Sequence, residues 1–345
     1  MKYGPTPENL MERLVLMSGK IPIPMIDSLF TLMKARSLMA GVSLGVFEAM
    51  HEGFHTTADL AKQLSLDAEC LNMLLRTFVY SGYAVQRGNE YALSALSRRS
   101  LLRGAEMDQT GYVMWNYTQW RLVEHMEDLI RTGKGVDFHS TMKDPVAWGY
   151  YQRGMMEMAR LDAPVVASKL PVPDNAQRML DLGGSHGLFG AAVCRKHPPL
   201  RSTVIDLPEA CEAARELAKE AKVDDVVEHR PGDLLTCDLD TGVDVVLLSN
   251  VTHHFTMDQN QGLLKRVYGA LRPQGSVGVW DMELPAETDR ASEGDGAALF
   301  FRLTSSAATY RGEDYARWMT DAGFSHVRQI RPITSPGNVL VTGRV

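Results

Sequence analysis

Cysteine is scarce in this sequence: four residues among 345, Cys70, Cys194, Cys211 and Cys237, with no C-x-x-C spacing. That scatter excludes a zinc ribbon or a disulfide framework and fits free thiols in a reducing compartment. Lysine and arginine never form a run and the formal net charge is −6, so the basic face that grips a phosphate backbone is missing. No apolar run reaches the length of a membrane span, and the opening MKYGPTPENLMERL lacks a signal-peptide core. A cytoplasmic protein with no membrane or nucleic-acid partner is expected. What is present is ordinary globular material, 45% apolar and 23% charged. Methionine is the exception: 19 residues suit an apolar pocket or a loosely packed core.

Residues 25–50, MIDSLFTLMKARSLMAGVSLGVFEAM, carry apolar positions at helical spacing on most sides of one helix. Such a helix must be covered by its own domain or by a partner chain. The next stretch reads as two short helices, the first capped by Thr56 or Thr57 and the second around Ala68–Ser81. A hairpin follows in YAVQRGNEYAL, turning at RGN. Helix, helix, hairpin is the winged-helix pattern. Its second helix carries a single arginine, Arg76, too little to read a DNA groove, so packing or dimerisation is its expected role.

Residues 105–165 read as a helical linker rich in Tyr, Trp and Met, whose walls suit a flat apolar ligand. From residue 166 apolar runs alternate with helical stretches. RMLDLG, RSTVIDL, VVEHRPG, VDVVLLSN, SVGVWDM, HVRQIRPI and NVLVTGRV read as strands. The alternation predicts a parallel sheet covered on both faces, with the last two runs antiparallel because only TSPGN joins them. The expected division is a domain over 1–104, a linker over 105–165 and an α/β domain over 166–345.

The first of these strands runs into DLGGSHG, Asp181 to Gly187, where glycines let the backbone approach a ligand closely. Its G-G-x-x-G spacing is not the G-x-G-x-x-G of dinucleotide folds, and by itself it reads equally well as a turn. Asp206 closes the second strand in STVIDLP, 25 residues beyond Asp181, where a carboxylate can accept both hydroxyls of a ribose. Asp233, in RPGDLL, closes the third and can accept from an adenine amino group. Taken singly, these acids are equally caps and turns. Together with the glycine loop along one carboxyl edge they point to a nucleoside.

DLGGSHG, VIDLP, PGDLL and GALRPQGSVGVWDMELP, with the N-terminal helices and hairpin, resemble the S-adenosylmethionine-dependent small-molecule O-methyltransferases. The type is that of plant caffeic-acid enzymes and bacterial polyketide and phenazine methyltransferases, and the likeness spans essentially the whole chain. It implies an α/β fold: a Rossmann-like class I methyltransferase domain, its sheet mostly parallel with an antiparallel last strand, behind a helical, winged-helix dimerisation domain. It also implies a homodimer. S-adenosylmethionine, leaving as S-adenosylhomocysteine, would be held by Asp181, Gly183, Gly184, Asp206, Leu207, Asp233, Leu234 and Ser249. In the family a histidine after the fourth strand, in a V-L-H-D/N-W pattern, is the general base. NVTHHF lays His253 on that base, His254 on the Asp/Asn and Phe255 on the tryptophan.

Two departures stand out. The family usually steadies the base with two glutamates. Asp281 stands at the first position, so His253, Asp281 and His254 are the implied catalytic residues. The second position falls near Thr309, which carries no charge, with Glu313 and Asp314 a few residues later. Ser249 stands where relatives often have a basic residue.

The acceptor, a hydroxyl of a small aromatic molecule, would lie between His253 and residues 112–158, touching Trp115, Tyr151, Met155 and Met158. Carbon methylation, metal-assisted or not, and a non-methylating reaction in a cofactor-binding relative are the rival readings. No third histidine lies within 240–320, so no metal is expected. A nucleoside-sensing regulator would need the basic face that the composition lacks.

Overall fold

The computed structural model describes residues 4–345 apart from positions 5, 8, 137, 139–141, 143, 287–290, 292 and 306. The chain forms two compact units, Met1–Thr118 and Gln119–Val345.

In the first unit the expected helix over 25–50 is interrupted. It runs as Ile23–Ile26, a π-helical turn Asp27–Thr31, and Leu32–Ser43. It then breaks at Gly45, whose φ of +70° is left-handed, before Val46–Ala49. Its apolar faces divide accordingly. Met25, Leu29, Phe30 and Met33 are exposed, whereas Val46 and Phe47 are buried. Thr56 caps the helix Thr57–Leu64 by accepting from Asp59 N–H, and Asp67 caps Ala68–Tyr80 by accepting from Cys70 N–H. The core is Phe47 stacked on Phe78 with ring centroids 4.7 Å apart, among Leu60, Leu71, Leu75 and Leu93. Strands β2 (Ala84–Arg87) and β3 (Glu90–Leu93) form the hairpin, with Gly88 at φ +62° in the turn. A two-residue strand, β1 (His55–Thr56), adds to β3 and is too short to show any sequence pattern.

The stretch 105–165 is divided between the two units. Helix Thr110–Thr118 packs on Leu32–Ser43 in the first unit, and Gln119 onward belongs to the second. Val113 belongs to the core of the first unit, and Ala159, Ala163 and Val166 to that of the second. Residues 137, 139–141 and 143 of this stretch lie outside the described residues.

Among the described residues the second unit holds a seven-stranded sheet in the order β6-β5-β4-β7-β8-β10-β9. The strands are β4 (Arg178–Leu182), β5 (Arg201–Asp206), β6 (Val227–Pro231), β7 (Val243–Ser249), β8 (Leu271–Met282), β9 (Ser325–Ile330) and β10 (Asn338–Arg344). Pairing is parallel from β6 through β8, and β10 runs antiparallel to both its neighbours. β7 is buried throughout, as a central strand with both faces covered must be. Val246 and Leu248 face Leu263, Val267 and Trp318, whereas Val245 and Leu247 face Ala163, Val166 and Phe189. Strand order reverses between β4 and β7. A ligand crevice is expected at the carboxyl ends there. No helix among the described residues is long and apolar enough to cross a membrane.

Candidate active site

The glycine loop follows β4 because the chain must turn sharply beneath the sheet rim. Gly183 takes a φ of +69°, and a Cβ on it would stand 2.5 Å from Val251 Cγ2. A Cβ on Gly184 would stand 2.4 Å from Asp181 Cγ. Only glycine allows that approach. Its neighbour Ser185 donates its N–H to Asp206 Oδ2 at 3.0 Å, and Leu207 N–H donates to Asp206 Oδ1 at 2.8 Å. Burial pushes the Asp206 carboxyl up, and the two backbone donors pull it part of the way back. Hydroxyl donors from a ligand would stabilise it further.

One cavity collects these rim groups. Gly183, Ser185, Asp206, Leu207, Asp233 and Leu234 line it, with Gly232, Asn250 and Val251. Across from them stand Trp148, Tyr151 and Gln152 of the helix Pro145–Lys169, and Ala210 of the next helix. Carboxylate acceptors at successive strand ends beside an apolar, aromatic wall suit a ribose and a flat base. These residues therefore fit an adenosyl group.

Several residues assigned to this site are not on the described cavity wall. Asp181 and Ser249 are buried and, like Gly184, are absent from the described cavity wall. Both side chains share the parity of Met179 and Val245 along their strands, which turns them toward the helix layer rather than the rim. Asp181 Oδ2 accepts from Gly190 N–H at 3.1 Å, and Oδ1 has no hydrogen-bond partner among the described residues. Tyr151 lines the cavity beside Asp206, and burial pushes its hydroxyl far above the ordinary tyrosine range. Met155 and Met158 lie on the same helix but are not on the described wall, and Trp115 is buried in the first unit. Sequence reading missed Trp148, Gln152, Ser185, Gly232 and Asn250; the left-handed φ of +46° at Ser185 and +52° at Asn250 marks two of them structurally, and neither has a sequence signature.

The paired histidines occupy a 3₁₀ turn, Thr252–His254, directly after β7. Asn260 pins that turn, its side-chain amide donating to the carbonyls of Thr252 and Phe255 at 3.0 and 3.1 Å. The two rings divide their tasks. His254 and Phe255 reach the cavity wall, with Ser305. His253, 4% exposed, packs between His254 and Phe301, with ring centroids 4.1 and 4.3 Å away. Its Nδ1 lies 2.7 Å from Asp281 Oδ1. An ionised carboxylate only accepts, so Nδ1 carries a proton, and in the neutral ring that leaves the lone pair on Nε2.

Asp281, at the end of β8 and fully buried, also accepts from Thr252 Oγ1 at 2.5 Å, Met282 N–H at 2.8 Å and His253 N–H at 3.2 Å. Burial by itself would raise its carboxyl, but His253 and these donors outweigh it and hold Asp281 below the usual carboxylate range. Thr309 is buried with its hydroxyl unpartnered among the described residues. Glu313 instead binds Arg331 at 2.9 Å, and Asp314 binds Arg317 at 2.6 Å. No group of three His, Cys, Asp or Glu side chains among the described residues could hold a metal ion.

Comparison with known proteins meets this geometry. An O-methyltransferase domain family matches residues 121–325, and an O-methyltransferase dimerisation domain matches residues 26–103. A 3-hydroxy-5-methyl-1-naphthoate 3-O-methyltransferase of Streptomyces sahachiroi is 29% identical, over 94% of this chain and 97% of its own. A mitomycin biosynthesis 6-O-methyltransferase of Streptomyces lavendulae is 30% identical, over 72% of this chain and 74% of its own. The structure of a mitomycin 7-O-methyltransferase superposes with a TM-score of 0.82 at 25% identity, covering 97% of this chain and 99% of that one. Human N-acetylserotonin methyltransferase, solved with S-adenosylmethionine, shares the fold at a TM-score of 0.82 and 20% identity, covering 99% of each chain.

Proposed function

Because the chain belongs to the S-adenosylmethionine-dependent O-methyltransferases, we propose that it methylates a hydroxyl of a small aromatic natural product, with His253 as general base. S-adenosylmethionine is its cofactor and supplies an electrophilic methyl group on sulfur, so the leaving thioether needs no acid. Asp206 would accept the ribose hydroxyls and Asp233 the adenine amino group, while Leu207, Leu234 and Tyr151 cover the remaining faces. His253 Nε2 would take the acceptor's hydroxyl proton. Asp281 would hold the ring in the tautomer that leaves Nε2 free and would steady the imidazolium that results. General-base help of this kind is worth about 10²–10⁴-fold.

The buried 2.7 Å pair of His253 and Asp281, next to the wall that His254 and Phe255 complete, carries this reading. The names of the naphthoate and mitomycin relatives support oxygen as the nucleophile and a ring compound as the acceptor. We further propose a homodimer, supported by the dimerisation-domain match and the exposed Met25, Leu29, Phe30 and Met33, working with its four free thiols in a reducing cytoplasm. The test is release of S-adenosylhomocysteine against a panel of hydroxynaphthoates and their O-methylated counterparts. Turnover of the free hydroxyls with an O-methyl product is expected. Carbon-methylated product, or turnover of none of the panel, would overturn the reading.

A further inference from the structure

The hydrogen bonds around the histidine do not end at Asp281. Thr252 Oγ1, 2.5 Å from Asp281 Oδ2, also lies 2.7 Å from the Tyr315 hydroxyl. The single Thr252 proton is committed to the carboxylate, so the threonine oxygen must accept from tyrosine. The chain therefore has one direction: Tyr315 O–H to Thr252, Thr252 O–H to Asp281, with His253 Nδ1–H donating to the other carboxylate oxygen. We propose that Thr252 and Tyr315 are positioning residues that tune the proton affinity of His253 through Asp281. This rests on the reading of His253 as the base.

Placement gives the relay its leverage. Tyr315 and Asp281 are 0% exposed and Thr252 2%, so no water competes for these bonds. The Tyr315 ring is held edge-on by Trp318 and Tyr310, at centroid distances of 5.5 and 6.0 Å, which fixes where its hydroxyl points. Every donor to Asp281 draws charge out of the carboxylate. With one removed, the carboxylate becomes more basic, pulls harder on Nδ1–H and stabilises the imidazolium. The two hydroxyls thus keep Nε2 less basic than a bare aspartate would make it. Other titratable and charged groups nearby are His254 against the His253 ring, Tyr310 and Asp314 near Tyr315, and Arg302 acting on Tyr310. None of these donates to Asp281 among the described residues, so the hydroxyl relay is the path by which the helix Gly312–Ala322 reaches the base.

The test is an NMR titration of the full-length protein with ¹³C-labelled histidine, without cofactor or acceptor, the His253 signal being assigned by its loss in His253→Gln. Thr252→Val removes the direct donor, and Tyr315→Phe removes only a hydroxyl while keeping the packed ring. The His253 midpoint is expected to rise by about 0.5–1 pH unit in Thr252→Val and by less in Tyr315→Phe. Thr252→Ser should titrate with the wild type. Midpoints that stay in place or fall would overturn the relay, and Tyr315→Phe decides alone if Thr252→Val does not fold. The base assignment fails separately: retained turnover in His253→Ala would remove it whatever the midpoints do, whereas unmoved midpoints beside an inactive His253→Ala would sink only the relay.

Discussion

Asp181 is the buried acid that the fold accommodates least easily. It lies between the glycine loop and the helix Leu188–Lys196, with one oxygen bonded to Gly190 N–H and the other unpartnered among the described residues. Burial raises its pKa from 3.8 to about 7, the Gly190 bond opposing and the charge of Asp206 adding. A folded-state value above the unfolded one gives stability that is complete below pH 3.8 and lost as pH climbs through about 7. A rise of about 3 units is worth about 4 kcal/mol over the whole window, and about 2 kcal/mol of it falls between roughly pH 5.5 and pH 8. Asp181→Asn keeps the side-chain size and abolishes the titration. In urea melts followed through the buried Trp280 and Trp318, the variant should gain about 2 kcal/mol on the wild type from the lower pH to the higher. Taking the difference between the two proteins cancels the other titrating groups. A difference that stays constant across the window would refute this account of Asp181.

Asp206→Ala should weaken S-adenosylhomocysteine binding by about 10–100-fold in calorimetry, since hydrogen bonds to a charged acceptor are worth about 1.5–3 kcal/mol. An unchanged Kd would move the ribose site away from β5. Light scattering of the full chain at micromolar concentration should return twice the chain mass, and replacing Leu29 and Phe30 together by serine should lower it toward one. A wild-type monomer would contradict the role given to that exposed apolar face.

Much of this architecture was legible in the sequence, for reasons the structure makes plain. Strands β4, β7 and β10 are compact apolar runs, and Asp206 and Asp233 stand at or just past strand ends, where side chains cannot avoid the rim. His253 and Asp281 were singled out only through the family resemblance, and the structure brings their side chains within 2.7 Å. Asp181 and Ser249 sit in strands near the rim too, but period-two alternation turns them inward, and a motif read as a string does not register that parity. The break at Gly45 and the division near residue 118 depend on which core covers an apolar face, a tertiary matter. Thr252 was next to the histidines, yet nothing ties it to Tyr315, which comes from a helix 63 residues later and shares no spacing rule with it.

Transfer of the acceptor's proton to the imidazole of His253 is the step proposed above. It is tested most directly by single-turnover methyl transfer in His253→Ala, with S-adenosylhomocysteine affinity measured on the same preparation. If His253 is the base, the rate falls by about 10²–10⁴-fold while the affinity holds. A rate equal to the wild type's, with the cofactor bound as tightly, would show that the proton leaves by another route.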